Sequence, residues 1–249
     1  MYAQEDIIPY EERGGSKLVQ MQWLFDTLSH TYDHFTHLAS LGADKMWRKQ
    51  AVKYLKKTAV IPPRTILDVA TGTGDLAICA HKYLTPESIV GIDISDGMMH
   101  IATEKVRKKG LDQSIRFEHQ DVSALELDSN TFDAVISSFG LRNFPDLDKA
   151  LSEMHRVMKP QAKMVVIDLC TPRQFPMKQL FALYRNVIMP IVERCCKFKK
   201  EERTYLPKTM DAIPQGQEMA DIISKSGFSK VTYKRLTFSL CILYAAEKG

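Results

Sequence analysis

The 249-residue chain has few of the features that narrow a function quickly. Its five cysteines, Cys79, Cys170, Cys195, Cys196 and Cys241, make no CxxC pair and no Cys/His spacing suited to zinc. That excludes a disulfide framework or zinc module and leaves free thiols of a reducing compartment. No uninterrupted apolar run is long enough to span a bilayer, and the opening MYAQEDIIPYEERGG lacks the apolar stretch of a secretory leader. A soluble, cytoplasmic protein is expected. Charge of neither sign dominates, with 34 Lys and Arg against 30 Asp and Glu. A nucleic-acid-binding domain gathers its basic residues into a stripe, whereas the one basic cluster here, RCCKFKKEER at 194–203, contains two glutamates. Nucleic acid is therefore not an expected partner. His30, His34 and His37 recur at helical spacing without a recognisable set of further ligands, so no metal is expected either.

What the chain does have is alternation. Short β-branched runs (RTILDVA, SIVGIDI, SIRFEHQD, FDAVISSF, KMVVIDLC) are separated by longer helical stretches (DLAICAHKYL, DGMMHIATEKVRKKG, DLDKALSEMHRVMK). Repeated βαβ units predict a parallel sheet with helices on both faces. The tail, VTYKRLTFSLCILYAAE, holds two strand-like runs with no room for a helix between them, which predicts an antiparallel pair at the sheet edge. The prediction is one α/β domain with a mostly parallel seven-stranded sheet, its nucleotide-binding core over about 61–170 and its last strands over about 228–248. Two segments stand outside the alternation: a helical cap over about 17–60 and a second insertion over about 171–227. Within the second, residues 174–200 read as one or two helices interrupted near Pro190, laid over the crevice side of the sheet. Their apolar density suits either core packing or the wall of a greasy site.

After the first strand comes DVATGTGD, residues 68–75, and then a helix. Glycines at such a turn let a ligand approach the backbone. The third glycine of a dinucleotide fingerprint is absent, Ala77 standing in its place, and no Lys-Ser/Thr pair makes a phosphate loop. A pyrophosphate is not the natural ligand. Asp93 ends the second strand, where a carboxylate can accept from a ribose diol. Asp121 ends the third, within reach of an adenine amino group. Asp68, Asp93 and Asp121 together are more acidic strand ends than helix capping accounts for.

These stretches resemble the class I S-adenosylmethionine-dependent methyltransferases, whose fold is Rossmann-like. The resemblance implies S-adenosyl-L-methionine as cofactor, with Gly72, Thr73 and Gly74 at its methionine end, Asp93 on the ribose, Asp121 and Val122 beside adenine, and Asp68 and Ser138 in the same pocket. Over roughly residues 20–248 the chain is similar to the quinone-biosynthesis C-methyltransferases, which methylate demethylmenaquinone and the related ubiquinone precursor. The matching stretches are FDTLSHTYDHFTHLASLGADKMWRK, LDVATGTGDLA, SSFGLRNFPDLDKALSEMHRVMKP, Tyr205-Leu206 and SGFSKVTYKRLTFSLCILYAAEK. Departures fall mostly on the acceptor side: Thr36, Gln161-Ala162, Asp168 to Pro172, Lys200 to Thr204, and Ser239. They leave open a paralogue with another aromatic or small-molecule acceptor, or a silent cofactor binder.

The segment SSFGLRNF, residues 137–144, puts a cation where a parallel sheet opens its crevice. Guanidinium keeps its proton, so Arg142 suits a developing phenolate or a polarised water rather than base catalysis. The alternative is an ion pair with Asp146 or Asp148 just beyond it. The resemblance makes Arg142 and Tyr32 the catalytic candidates and Asn143 and Tyr205 the acceptor-binding ones. It implies a polyprenylated quinol as substrate, and gives the 174–200 segment, with Phe181, Val187 and Ile188, a purpose in covering the tail at the inner membrane face. Oligomeric state is left open, a homodimer among the options.

Overall fold

Each β-branched run flanked by helices becomes a strand that can bury both of its faces. The computed structural model describes residues 2–196 and 198–249. Its strands are β1 Thr65–Val69, β2 Ser88–Asp93, β3 Ile115–His119, β4 Phe132–Ser138, β5 Met158–Leu169, β6 Phe228–Leu236 and β7 Cys241–Lys248. They form one seven-stranded sheet of order β3-β2-β1-β4-β5-β7-β6. The first five pair in parallel, and β7 enters antiparallel between β5 and β6. The helices are α1 Lys17–Ala39, α2 Ala43–Thr58, α3 Asp75–Leu84, α4 Asp96–Lys108, α5 Leu147–Val157, α6 Met177–Leu183, α7 Met189–Cys195, α8 Lys200–Ala212 and α9 Gln217–Lys225.

Alternation along the strands divides the core into two layers. Leu67, Val69 and Val135 face α5 and α9, packing with Leu151, Met154, Met219 and Ile223. Ile66, Ala134 and Ile136 face the other way, onto Trp47, Val52 and Leu55 of α2 and Leu76 and Ala80 of α3. A third cluster, built from Met21, Leu24, Leu28 and Phe35 of α1 with Met189, Phe198 and Tyr205, joins the two helical segments that lie over the strand tips.

Two boundaries differ from expectation. The helix expected to run to Lys159 stops at Val157, and β5 begins at Met158, before the predicted KMVVIDLC. Met158 still pairs with Phe132, after which the register shifts, and Gln161 takes a left-handed φ of 63° to absorb the extra residues. Near Pro190 the chain does not break. α6 continues through a π-helical turn, Tyr184–Ile188, into α7. Pro190 has no N–H for the carbonyl four residues back, and its ring crowds that carbonyl. The Met189 N–H instead reaches the Tyr184 oxygen five residues back, the wider bond of a π turn.

Candidate functional site

The turn after β1 is shaped by packing before any ligand is considered. Gly72 and Gly74 hold φ of 55° and 78°. A Cβ on Gly74 would stand 3.0 Å from Phe117 and 3.1 Å from Ala102, so this glycine lets the turn seat against α4. A Cβ on Gly72 would meet only open space. Gly72 lines an inner cleft of about 70 Å³ together with Asp93, Asp121, Val122 and Ser138. Asp93 is buried and accepts from the N–H groups of Gly72 (2.8 Å) and Ser95 (3.0 Å), tying the turn to the start of α4. Burial raises its carboxyl above the usual range, although the backbone donors oppose the shift.

Asp68 and Thr73, by contrast, stand behind this wall. Asp68 lies within β1, has no exposure, and accepts from the Thr71 hydroxyl at 2.7 Å. Burial pushes its carboxyl up to about 7, and one of its oxygens has no partner among the described residues. Thr73 is buried and donates to Asp33 of α1 at 2.6 Å. Asp121 sits two residues past the end of β3 rather than at its tip, accepting from Ser123 N–H and hydroxyl. An open glycine, a carboxylate at the second strand tip and an apolar Val122 wall suit a nucleoside ligand.

On the other side lies an apolar cavity of about 320 Å³ under α1, α6, α7 and α8. The two spaces share Phe25, Tyr32, Phe139 and Asn143, which form a septum between them. Phe139 has a φ of 64°, which is uncommon for a bulky residue. That conformation turns its carbonyl to accept from Arg142 Nη1 (2.7 Å) and Asn143 Nδ2 (3.2 Å). Gly140 follows because a Cβ there would collide with Ala70 at 2.9 Å.

Arg142 lines the outer cavity at 6% exposure. Its partner is neither of the expected neighbours. Asp146 caps α5 by accepting from Lys149 N–H, and Asp148 accepts from the Tyr2 hydroxyl. Arg142 instead donates from Nη1 to Asp168 at 2.6 Å, and its backbone N–H reaches the other Asp168 oxygen at 3.2 Å. The partner is adjacent only because β4 and β5 are neighbours in the sheet. Burial pulls the guanidinium down, but Asp168, Tyr32 and Tyr205 outweigh it and hold it above its ordinary value. It stays charged, and its Nε has no partner among the described residues.

Tyr32 lines both spaces and packs edge-on to Phe25 at 6.1 Å. Burial raises its hydroxyl above the ordinary value, against the pull of Arg142. Tyr205 is likewise raised by burial and donates to Asn143 Oδ1 at 3.1 Å. Both tyrosines are therefore hydroxyl donors at neutral pH. The pairing of Asp168 with Arg142, the septum residues Phe25 and Phe139, and two carboxylates of α1 escaped the sequence reading. Asp26 accepts from the Ser95 hydroxyl (2.6 Å) and Gly97 N–H (3.0 Å) of the α4 start, and Asp33 pairs with Lys105 at 2.5 Å. Their spacing of two helical turns on one face of α1 was the available signal.

The chain is similar to known proteins along nearly its whole length. A demethylmenaquinone methyltransferase of Bacteroides fragilis is 45% identical over 247 residues, 99% of each chain. One of Porphyromonas gingivalis is 37% identical over 249 residues, the whole of each. The ubiquinone/menaquinone biosynthesis C-methyltransferase UbiE of Blochmanniella pennsylvanica is 33% identical, covering 90% of this chain and 88% of its own. Among solved structures, a Haemonchus contortus phosphoethanolamine N-methyltransferase in complex with S-adenosylhomocysteine superposes with a TM-score of 0.65 at 17% identity, over 94% of this chain and 61% of that one. A S-adenosylmethionine-dependent methyltransferase of Thermotoga maritima gives 0.63 at 17%, over 92% and 100%. At those identities the structures speak for the class I methyltransferase fold. The model of the ubiE/COQ5 methyltransferase family matches residues 13–248, and the chain belongs to that family.

Proposed function

We propose that this chain transfers a methyl group from S-adenosyl-L-methionine to a ring carbon of a reduced, polyprenylated quinol of the demethylmenaquinone type. The observation that carries this reading is the septum: a nucleoside-sized cleft and an apolar cavity meet at Phe25, Tyr32, Phe139 and Asn143, with the buried cation Arg142 lining the cavity. Gly72, Asp93, Asp121, Val122 and Ser138 would hold the cofactor, which supplies an electrophilic methyl group when bound.

The chain's own residues have three tasks. The first is to favour the quinol in its ionised form, because phenolate charge spreads onto the adjacent ring carbon and makes it a nucleophile. Arg142 does this from a position fixed by Asp168 and the Phe139 carbonyl, as a charge aimed in advance at the developing oxyanion. The second is alignment, for which Tyr32 and the Tyr205–Asn143 pair offer hydroxyl and amide groups around the ring. The third is to accept the ring proton displaced by the methyl group. Arg142 and both tyrosines keep their own protons, so the carboxylates lining the cavity, Glu202 and Asp211, are the acceptors to test.

Incubation with S-adenosylmethionine labelled in its methyl group and a reduced, short-tailed demethylmenaquinone tests the reading. The label is expected on a ring carbon by mass spectrometry. Cofactor binding without ring methylation would remove the proposal.

The finer placement is at a lipid surface. Phe181 and Tyr184 line the cavity, Leu180 reaches both cavity and solvent, and Leu183, Val187, Ile188 and Ile191 of the same α6–π–α7 run are exposed. An amphipathic run with one face on the substrate cavity and an apolar outer face suits an in-plane contact with a membrane from which a prenylated quinol is drawn. No helix among the described residues is long and apolar enough to cross a membrane.

A further inference from the structure

The first long helix ends in a conformation that its sequence does not favour. α1 closes with the Leu41 N–H on the Leu38 carbonyl (3.1 Å) and the Gly42 N–H on the His37 carbonyl (2.9 Å), the paired bonds of a Schellman stop. The residue that such a stop turns left-handed is usually glycine, and sometimes asparagine. Here it is Leu41, at a φ of 51°. Burial does not offset the strain, because the side chain is 81% exposed.

The strained residue stands at the apolar cavity. Leu41 and Leu180, the latter 54% exposed, are the aliphatic side chains among the described residues that line the cavity and still stand open to solvent. The Tyr184 hydroxyl donates to the Ala39 carbonyl, which fastens the end of α1 to the π turn after α6. The cavity therefore opens between the α1–α2 turn and α6. Phe238 repeats the combination of strain and exposure on the β6–β7 tip, with a φ of 53° and 73% exposure. The hydroxyl of its neighbour Thr237 accepts from the Trp47 indole at 2.7 Å, and both Trp47 and Leu240 line the same cavity. Among the described residues, no other exposed large apolar side chain sits on a left-handed backbone. Strain of this kind collects where a ligand makes use of it.

We propose that Leu41 is the lip over which the prenyl tail leaves the cavity. This rests on the quinol reading above. At about 320 Å³ the cavity lies at the lower end of the roughly 300–1,000 Å³ that encloses a small ligand. A quinol ring and its first isoprene unit fill such a space, and a longer tail has to pass the opening. There an aliphatic side chain held away from the protein loses its exposed surface to an aliphatic chain, a gain realised only with substrate in place. Glycine or asparagine at this position would relax the turn and give up that contact. Leu180 forms the facing lip, on the run whose outer side is proposed to meet lipid, so the tail passes from the cavity to the bilayer without crossing water.

The test compares kcat/KM for demethylmenaquinols carrying one and four isoprene units, dispersed in detergent, at a fixed concentration of S-adenosylmethionine. The unaltered protein is expected to favour the longer tail by at least about fivefold. Leu41→Asn, which suits the left-handed turn, should bring the two substrates to within about twofold of each other, through KM rather than kcat. Its ligand-free melting temperature should equal or exceed that of the parent. Leu41→Met, which keeps the apolar reach, should retain the preference. A preference that survives Leu41→Asn, or its absence from the unaltered protein, would overturn the proposal. Methylation of neither quinol by the unaltered chain would instead overturn the quinol reading.

Discussion

Arg142 spends one nitrogen on two acceptors, Asp168 and the Phe139 carbonyl, and so reaches the cavity as a planar group held from one side. A lysine would bring the charge but not the fork. Arg142→Lys is expected to lower turnover by about 10²-fold or more while leaving the affinity for S-adenosylhomocysteine within a factor of about two, as read by single-turnover kinetics and calorimetry. Retained turnover would leave Arg142 a structural role through Asp168. The importance of this position was legible in SSFGLRNF, because a cation after a buried strand faces the crevice. Its partner was not, since 26 residues separate Arg142 from Asp168 and only the pairing of β4 with β5 joins them. The same holds for Phe139, whose left-handed backbone leaves no mark in a sequence where the glycine stands one position later.

At the scale of the element, patterning was most informative where period and length agreed. The βα series of the core follows from β-branched runs bounded by glycine and charged residues, and the antiparallel tail from the lack of space for a crossover. Periodicity was least informative over residues 174–200, where apolar residues occur all round the helix and two different environments claim them. The structure divides the three residues chosen there. Phe181 lines the cavity, whereas Val187 and Ile188 turn outward beside Leu183. A double substitution of Leu183 and Val187 by Glu places charge on the face proposed to meet lipid. Co-sedimentation with liposomes of mixed neutral and anionic lipid is expected to fall several-fold, while turnover of a short-tailed, water-dispersed quinol stays near the parent's. Undiminished co-sedimentation would make this face ordinary surface.

The molecule as a whole carries a pH dependence set at the centre of its sheet. Asp68 is held up to about 7 by burial, against an ordinary value of 3.8. Between those values the folded chain keeps a proton that the unfolded chain has lost, so this group's contribution is full below about 4 and declines as pH rises through about 7. Asp68→Asn keeps the neutral form and the Thr71 hydrogen bond. Its ligand-free melting temperature should therefore draw level with the parent only near pH 4 and exceed it increasingly up to about pH 8, by an amount worth on the order of 1–4 kcal/mol. A difference that does not change across that range would assign Asp68 an ordinary acidity. The sequence marked Asp68 as one acidic strand tip among three. It could not show that Asp68 is sealed inside the sheet while Asp93 borders the cleft, because burial is a property of the packed layers.

The reversed strand β7 also gives the molecule two unlike poles. Cys241 starts it beside Leu169, at the tips that carry Arg142 and Asp168, and the strand then runs back so that Glu247 stands opposite Lys163. Lys248 finishes it by binding Asn130 and the carbonyls of Arg156 and Met158, at the far end of the sheet. The first turn of the chain, Ala3–Asp6, by contrast, packs on the Leu141–Asn143 turn at the pole that holds both cavities. Material attached after Gly249 therefore starts at the pole opposite the one where the reaction takes place.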